Sequence, residues 1–398
     1  MPAPIVLRNL VPETKKVDNP PAGQPKIATR SDLRDGTRTG GGGGSDGDPV
    51  GGGSGSLEWS ALNGLADQNE ITLTTDTHAF VAPSKATWLG FGEGWLYSQT
   101  DDTPIAQSIA QNGETISYEF GVGSEQRFVK TVGGLKVLES VLHTPAGSNY
   151  NAGFINWDNG EEITAGNRIF MFSRVMCTDG SVSNASFQWK QERIRAYINL
   201  NGESHNSAYI AETTPNGSGG RIVEYEGNDG AASSLYTSVP THGEGWFNHA
   251  WMWRPNTPDA NNGLMAKVTL KDGDTGLTVD TSMSNSGGDV GSDTIRSSEV
   301  ERPRYASIQD YIGNNSNNTS NVVIRRTDQY WQLNGTHFFL SDSDTPSGAT
   351  QFWPLRIISV PNSQTAVLKL WKGTFADYSG KAILVYDEDM NFVDGVQL

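Results

Sequence analysis

The side chains able to do chemistry are scattered along this chain rather than gathered into a set. The six histidines, His78, His143, His205, His242, His249 and His337, include no i, i+4 pair and no His-x-His. Those are the spacings that put two imidazoles on one face for a metal. Asp46-Gly47-Asp48 and Asp272-Gly273-Asp274-Thr275-Gly276 look like pieces of calcium loops. Neither reaches the full loop spacing that ends in glutamate, and turn chemistry accounts for both. Neither a metal nor a cofactor is expected. The single cysteine, Cys177, sits among Ile169-Phe170-Met171-Phe172 and Val175-Met176 without a basic neighbour in sequence. A buried core thiol is expected there, and no internal disulfide can form.

Aromatic residues are the other candidates, since a ring face matches the apolar CH face of a sugar. Trp246, Trp251, Trp253, Tyr330 and Trp331 are available for this. Trp251 and Trp253 share one strand face with apolar companions, so they are expected in the core. Tyr330 and Trp331 lie beside Asp328 and follow the Asn-rich loop 314–321. Polar amides and a carboxylate next to rings suit hydroxyl recognition. The expected glycan-binding set is therefore Asn314, Asn317, Asp328, Tyr330 and Trp331.

Composition sets the scaffold for these residues. The chain has 398 residues, 35% hydrophobic, with 46 Gly and 11 Trp, which suits many short strands and turns better than helices. The formal charge is −16 and the pI about 4.8, so phosphate backbones and anionic membrane surfaces are repelled. Nucleic acid and membrane are not expected partners. No stretch approaches the length of a membrane span, and no basic region followed by an apolar run opens the sequence, so Sec export is not expected.

Residues 1–56 differ from the rest. Pro2, Pro4, Pro12, Pro20, Pro21, Pro25 and Pro49, with Gly40 to Gly44 and Gly51 to Gly53, leave no amphipathic period. The composition predicts an extended arm over 1–39 and a hinge over 40–56, with Ile5-Val6-Leu7 able to pair as one short strand in an assembly. Seven basic and six acidic residues give the arm +1, which leaves −17 on the body.

From Leu57 onward, period-two segments alternate with turn clusters. Expected strands include Thr115–Phe120, Arg127–Val132, Lys136–Leu142, Arg168–Cys177, Ser186–Leu200, Gly220–Tyr225, Trp246–Arg254 and Leu264–Leu270. Asn201-Gly202, Asn228-Asp229-Gly230 and Asp272-Gly273 supply turns with positive φ. Strands recur without amphipathic helices between them, so an antiparallel sandwich is expected rather than βαβ units. A second boundary is expected at the polar stretch Ser341 to Gly348, which divides the chain into 1–56, 57–341 and 342–398. After it, Leu355–Val360, Thr365–Trp371 and Lys381–Tyr386 read as strands of a small module leaning on the larger domain.

The run Gly245-Trp246-Phe247-Asn248-His249-Ala250-Trp251-Met252-Trp253, then Asn262-Gly263-Leu264 and the Asp272-Gly273 hairpin, resembles the core of concanavalin-A-like, laminin-G-type jelly rolls. Arg304 to Gly313 and Val323 to Trp331 resemble the late strands lining the concave sheet of lectin and polysaccharide-lyase relatives. Ala382 to Asp387 with Asn391 to Gly395 is similar to the last hairpin of small immunoglobulin-like modules. The resemblance implies an all-β jelly roll and a habit of binding glycans. Laminarinase-type glycosidases of this kind carry Glu-x-Asp-x-x-Glu, which is absent here. Alginate lyases use an Arg-rich strand, a Gln-x-His strand and a Tyr-containing strand. Gln191-Glu192-Arg193-Ile194-Arg195 echoes the first, but no Gln-x-His occurs.

An acidic β-sandwich with a flexible arm, no cysteine framework and no catalytic constellation is the pattern expected of a bacteriophage virion accessory: a decoration protein, fibre or receptor-binding component. The expectation is a non-enzymatic, homo-oligomeric protein made in the host cytoplasm. It would be held to other virion proteins by its arm and would touch host-surface polysaccharide. A jelly-roll lyase or hydrolase, and a non-viral carbohydrate-binding module, are the alternatives.

Overall fold

Where apolar and polar residues alternate in the sequence, the chain forms strands, and the register of their pairing decides which side chains meet. The computed structural model describes residues 57–61, 65–119, 126–142, 150–160, 163–164, 166–178, 188–195, 209–216, 219–226, 230–237, 245–254, 264–283, 304–313 and 322–398. Ile5, Val6, Leu7, Asn314 and Asn317 lie outside the described residues. The chain divides into two units, Met1–Ser56 and Leu57–Leu398.

In chain order the first strands are β1 (Leu57–Ala61), β2 (Glu70–Thr75), β3 (Lys85–Leu89), β4 (Ser108–Gln111), β5 (Glu114–Glu119), β6 (Phe128–Val132) and β7 (Leu135–Leu142). A single-turn helix, α1 (Gly94–Ser98), separates β3 from β4. Next come β8 (Tyr150–Asp158), β9 (Ile169–Thr178), β10 (Gln188–Arg195), β11 (Tyr209–Asn216), β12 (Gly219–Glu226), β13 (Gly230–Thr237), β14 (Trp246–Arg254), β15 (Leu264–Lys271) and β16 (Asp280–Met283). The last are β17 (Tyr305–Gly313), β18 (Val322–Leu333), β19 (His337–Ser341), β20 (Phe352–Pro354), β21 (Arg356–Asn362), β22 (Thr365–Lys369), β23 (Ala382–Tyr386) and β24 (Phe392–Gln397).

All pairs among these strands are antiparallel, so the expected all-β antiparallel class is the class of the structure. The middle layer is the sheet β16-β15-β14-β9-β18-β7-β6, with β3 also on β18. Its two faces are sorted by strand parity. One face sends Met171, Trp251, Trp253, Trp331 and Leu333 onto Ile116, Ile155, Trp157, Ile194, Ala306 and Ile308 of the five-stranded sheet β10-β17-β8-β5-β4. The other face sends Phe170, Phe172, Ala250, Met252 and Tyr330 onto Phe339, Phe352, Trp353, Leu368 and Tyr386 of the strands after β18. Cys177 is buried and in no disulfide, as its apolar neighbourhood required.

The division expected after Ser341 cuts through two sheets. β21 and β22 complete a sheet with β1 and β2, and β19 is bonded to both β20 and β23. Residues 342–398 thus bury their apolar side against strands from 57–341, and one core contains Leu57, Phe172, Trp353 and Val385. A segment this short lacks the apolar area for a core of its own, and the pairing shows how it gains one.

Candidate functional site

The two faces of the five-stranded sheet differ in chemistry. Inward, β10, β17, β8 and β5 contribute the apolar residues just named. Outward, the register lines up two polar rows. Arg193 stands opposite Ser307, Ser307 opposite Asn156, and Asn156 opposite Ser117. In the next row Gln309 stands opposite Phe154 and Phe154 opposite Glu119, with Gln191 beside them on β10. Cross-strand neighbours are about 4.5–5.5 Å apart at Cβ. Eight side chains from four strands therefore form one continuous patch.

Its members are tied together. Ser307 Oγ donates to Asn156 Oδ1 at 2.5 Å, and Asn156 Nδ2 donates to Glu119 Oε2 at 3.4 Å. The Arg193 guanidinium lies 5.6 Å from the centre of the Phe154 ring, within cation–π range. At the end of the patch Arg304 grips Asp158 with bonds of 2.6 and 2.7 Å and lies over the Tyr305 ring. Gln309, Asn156 and Ser307 are almost wholly buried, at 1%, 0% and 0% exposure. Gln309 Oε1 has no hydrogen-bond partner among the described residues. A buried acceptor left bare costs about 1–3 kcal/mol unless something donates to it. Gly153, at φ +75°, brings β8 so close to β5 that a Cβ there would sit 2.5 Å from the Glu119 carbonyl oxygen.

Directly behind this patch, between the sheets, lies a belt of charge. Arg326 on β18 donates to Asp310 on β17 at 2.8–3.1 Å and to Glu192 on β10 at 3.0 Å. It also donates to Ser173 Oγ at 2.7 Å. Asp310 further accepts from Arg127 at 2.5 Å and from Trp189 Nε1 at 2.9 Å. Burial pushes the Arg326 guanidinium down, but Asp310 and Glu192 outweigh it and hold it above its ordinary value. His249 accepts or donates at Nδ1 to Thr269 Oγ1 across 2.8 Å. Its Nε2 lies 3.3 Å from Glu192 Oε2, outside hydrogen-bond geometry. Burial lowers the His249 pKa against the pull of Glu192, so the ring is neutral near pH 7. Burial likewise brings Lys267 down to about 7, opposed by Asp280 and Glu192.

Three of the residues expected to bind glycan lie elsewhere, as structural members of the middle layer. Asp328 is fully buried, in left-handed backbone at φ 49° where the pairing of β18 with β9 shifts register. It accepts from the Phe91 N–H at 2.5 Å and from Trp371 Nε1 at 2.9 Å, and burial raises its pKa to about 6. Tyr330 packs edge-on against Phe91 and Phe170 and donates to Gln332. Trp331 is enclosed between the sheets. Both faces of β18 are covered, so neither ring can stack on a sugar. Trp251 and Trp253 are core, each 1% exposed. Of the outer patch, the sequence pointed only to Gln191 and Arg193. The signal for the rest was the alternation Tyr305-Ala306-Ser307-Ile308-Gln309 and Phe154-Ile155-Asn156-Trp157, whose polar half is uncharged.

No group of three or more His, Cys, Asp or Glu able to hold a metal occurs among the described residues. No protein-family model matches the chain, and no curated protein matches it. Among solved structures, an alginate lyase from Chlorella virus is similar at 12% identity and a TM-score of 0.37, over 52% of this chain and 88% of that one. An endo-β-1,4-glucuronan lyase from the fungus Trichoderma reesei reaches 11% and 0.36, over 63% and 95%. Lectin II from Ulex europaeus reaches 10% and 0.32, over 59% and 99%. At these scores the likeness carries no inference about activity.

Proposed function

We propose that this chain is a non-catalytic glycan-binding protein whose site is the outer face of β10, β17, β8 and β5. The observation that carries this reading is Gln309: a buried amide oxygen without a donor among the described residues, set in a patch of amides, hydroxyls, a carboxylate and a guanidinium around one aromatic ring. Sugar hydroxyls are donors of the kind such an acceptor lacks; Arg193 and Ser117 are the partly exposed members of the patch, and its buried members, Phe154 and Gln309 among them, would have to be uncovered for a sugar to reach them. Among the described residues no histidine lies on this face, so binding is favoured over proton-transfer chemistry. In the wider assignment the protein is an accessory of a bacteriophage virion, tethered through residues 1–56. That context is supported by the acidic body and the Pro/Gly-rich composition of the arm.

A polysaccharide lyase is the second reading, favoured by Tyr305, which shares the strand parity of Ser307 and Gln309 and lies under the Arg304 guanidinium. An arginine beside a tyrosine suits abstraction of a proton next to a neutralised carboxylate. Affinity electrophoresis in a panel of neutral and acidic polysaccharides, with absorbance of unsaturated products followed in parallel, separates the two. Retardation without product is the expected result. Product formation replaces binding with catalysis, and migration unchanged in every gel removes both.

A further inference from the structure

The charge belt and the outer patch are two sides of the same strands, and the strands are irregular where the two meet. The register of β10 against β17 shifts between Lys190 and Glu192, and that of β17 against β8 shifts between Gln309 and Tyr311. A β-bulge re-aims the side chains beside it. The residues re-aimed here are Gln191, Arg193 and Gln309. From the inner side, Arg326 holds Glu192 and Asp310, the inward residues at the two bulges, and its Nη2 reaches the Gln191 carbonyl at 3.5 Å. Arg127 extends the grip by donating to Asp310 and, at 3.3 Å, to the carbonyl of Gly153 next to Phe154.

We propose that Arg326 is the positioning residue of the outer site: its fork locks the bulges of β10 and β17, and so fixes the aim of Gln191, Arg193 and Gln309. This rests on the reading of the outer face as the glycan site. Stability alone is a poor reason for such a belt. Burying ions costs more than their attraction returns unless geometry is excellent, and well-packed apolar replacements are often as stable. What a planar guanidinium bridging two carboxylates adds is fixed relative position. Arg326 is fully buried and touches no ligand, so its influence passes through the strands.

The test is hydrogen exchange followed by mass spectrometry on the full chain without ligand, comparing wild type, Arg326→Lys and Glu192→Gln. Lysine keeps the charge but cannot span both carboxylates, and the Glu192→Gln variant keeps the shape if Arg326→Lys does not fold. The expected result is exchange accelerated at least tenfold in peptides covering 188–195 and 305–313, while peptides covering β19 to β24 keep wild-type rates. Unchanged rates at the bulges, or acceleration spread evenly over the chain, overturns the proposal. For a polysaccharide that the wild type retains, a double-mutant cycle adds a second readout. Arg326→Lys should lower affinity at least tenfold in the wild-type background and little further in Gln309→Ala, since the residue it aims is gone. Equal losses in both backgrounds contradict the positioning role. If Gln309→Ala and Arg193→Ala both bind as wild type, the site assignment fails instead, and the exchange result still stands or falls by itself.

Discussion

The two faces of the middle sheet are closed in different ways. Toward β19 to β24 the layer is aromatic: Phe339 meets Phe352 and Tyr386 edge-on, and Phe172 meets Phe352 and Trp353. Toward β10 and β17 the apolar layer is interrupted by Arg326, Arg127, Asp310 and Glu192, all at most 2% exposed in their side chains. Hydrophobic burial is non-directional, whereas a charge-assisted hydrogen bond fixes angle and distance. The aromatic layer therefore supplies stability, and the charged layer supplies placement, at the sheet whose far face carries the candidate site.

The largest expected effect is in the aromatic layer. Trp353→Ala should cost about 3–5 kcal/mol by emptying a packed site, seen as a large drop in denaturation midpoint, while protein that remains folded keeps its ligand affinity. In the charged layer, Arg326→Met alone should cost about as much, because it removes the cation shared by two buried carboxylates and leaves Asp310 to Arg127 and Trp189 alone, whereas apolar replacement of the whole cluster should cost far less. If the single and the concerted replacements are equally damaging, the charged layer is stability by another route and the contrast between the layers is lost.

Acid sharpens the contrast from the aromatic side. His337 is buried, and burial lowers its pKa to about 3 from 6.5. The unfolded chain takes up this proton more readily than the folded one, so the contribution is complete above about pH 6.5 and is lost as pH falls toward 3. Urea midpoints measured across that window should fall by the equivalent of a few kcal/mol, and His337→Phe should flatten the slope.

The fold was legible because alternation in segments such as Thr115–Phe120 fixes strand type and, through Ile116 and Tyr118, the inward face. The site was less so. Tyr330 and Trp331 looked like a binding pair because the sequence does not reveal that β18 is covered on both sides, one layer coming from residues far along the chain. The outer rows were hidden for a related reason. Arg193, Ser307 and Asn156 are neighbours only through the registers of three strand pairs, and the bulges that aim Gln309 and Gln191 leave no mark in composition.

The smallest effect on stability is the most telling for function. Gln309→Leu removes a buried acceptor that has no donor among the described residues, so the variant should be as stable as wild type or more stable by about 1 kcal/mol. Titration of a retained polysaccharide into wild type and this variant, with melting temperatures recorded on the same samples, tests the account directly. At least a tenfold loss of affinity is expected, with a melting temperature equal to or above wild type. Wild-type affinity in the Gln309→Leu protein would place the binding surface elsewhere and contradict it.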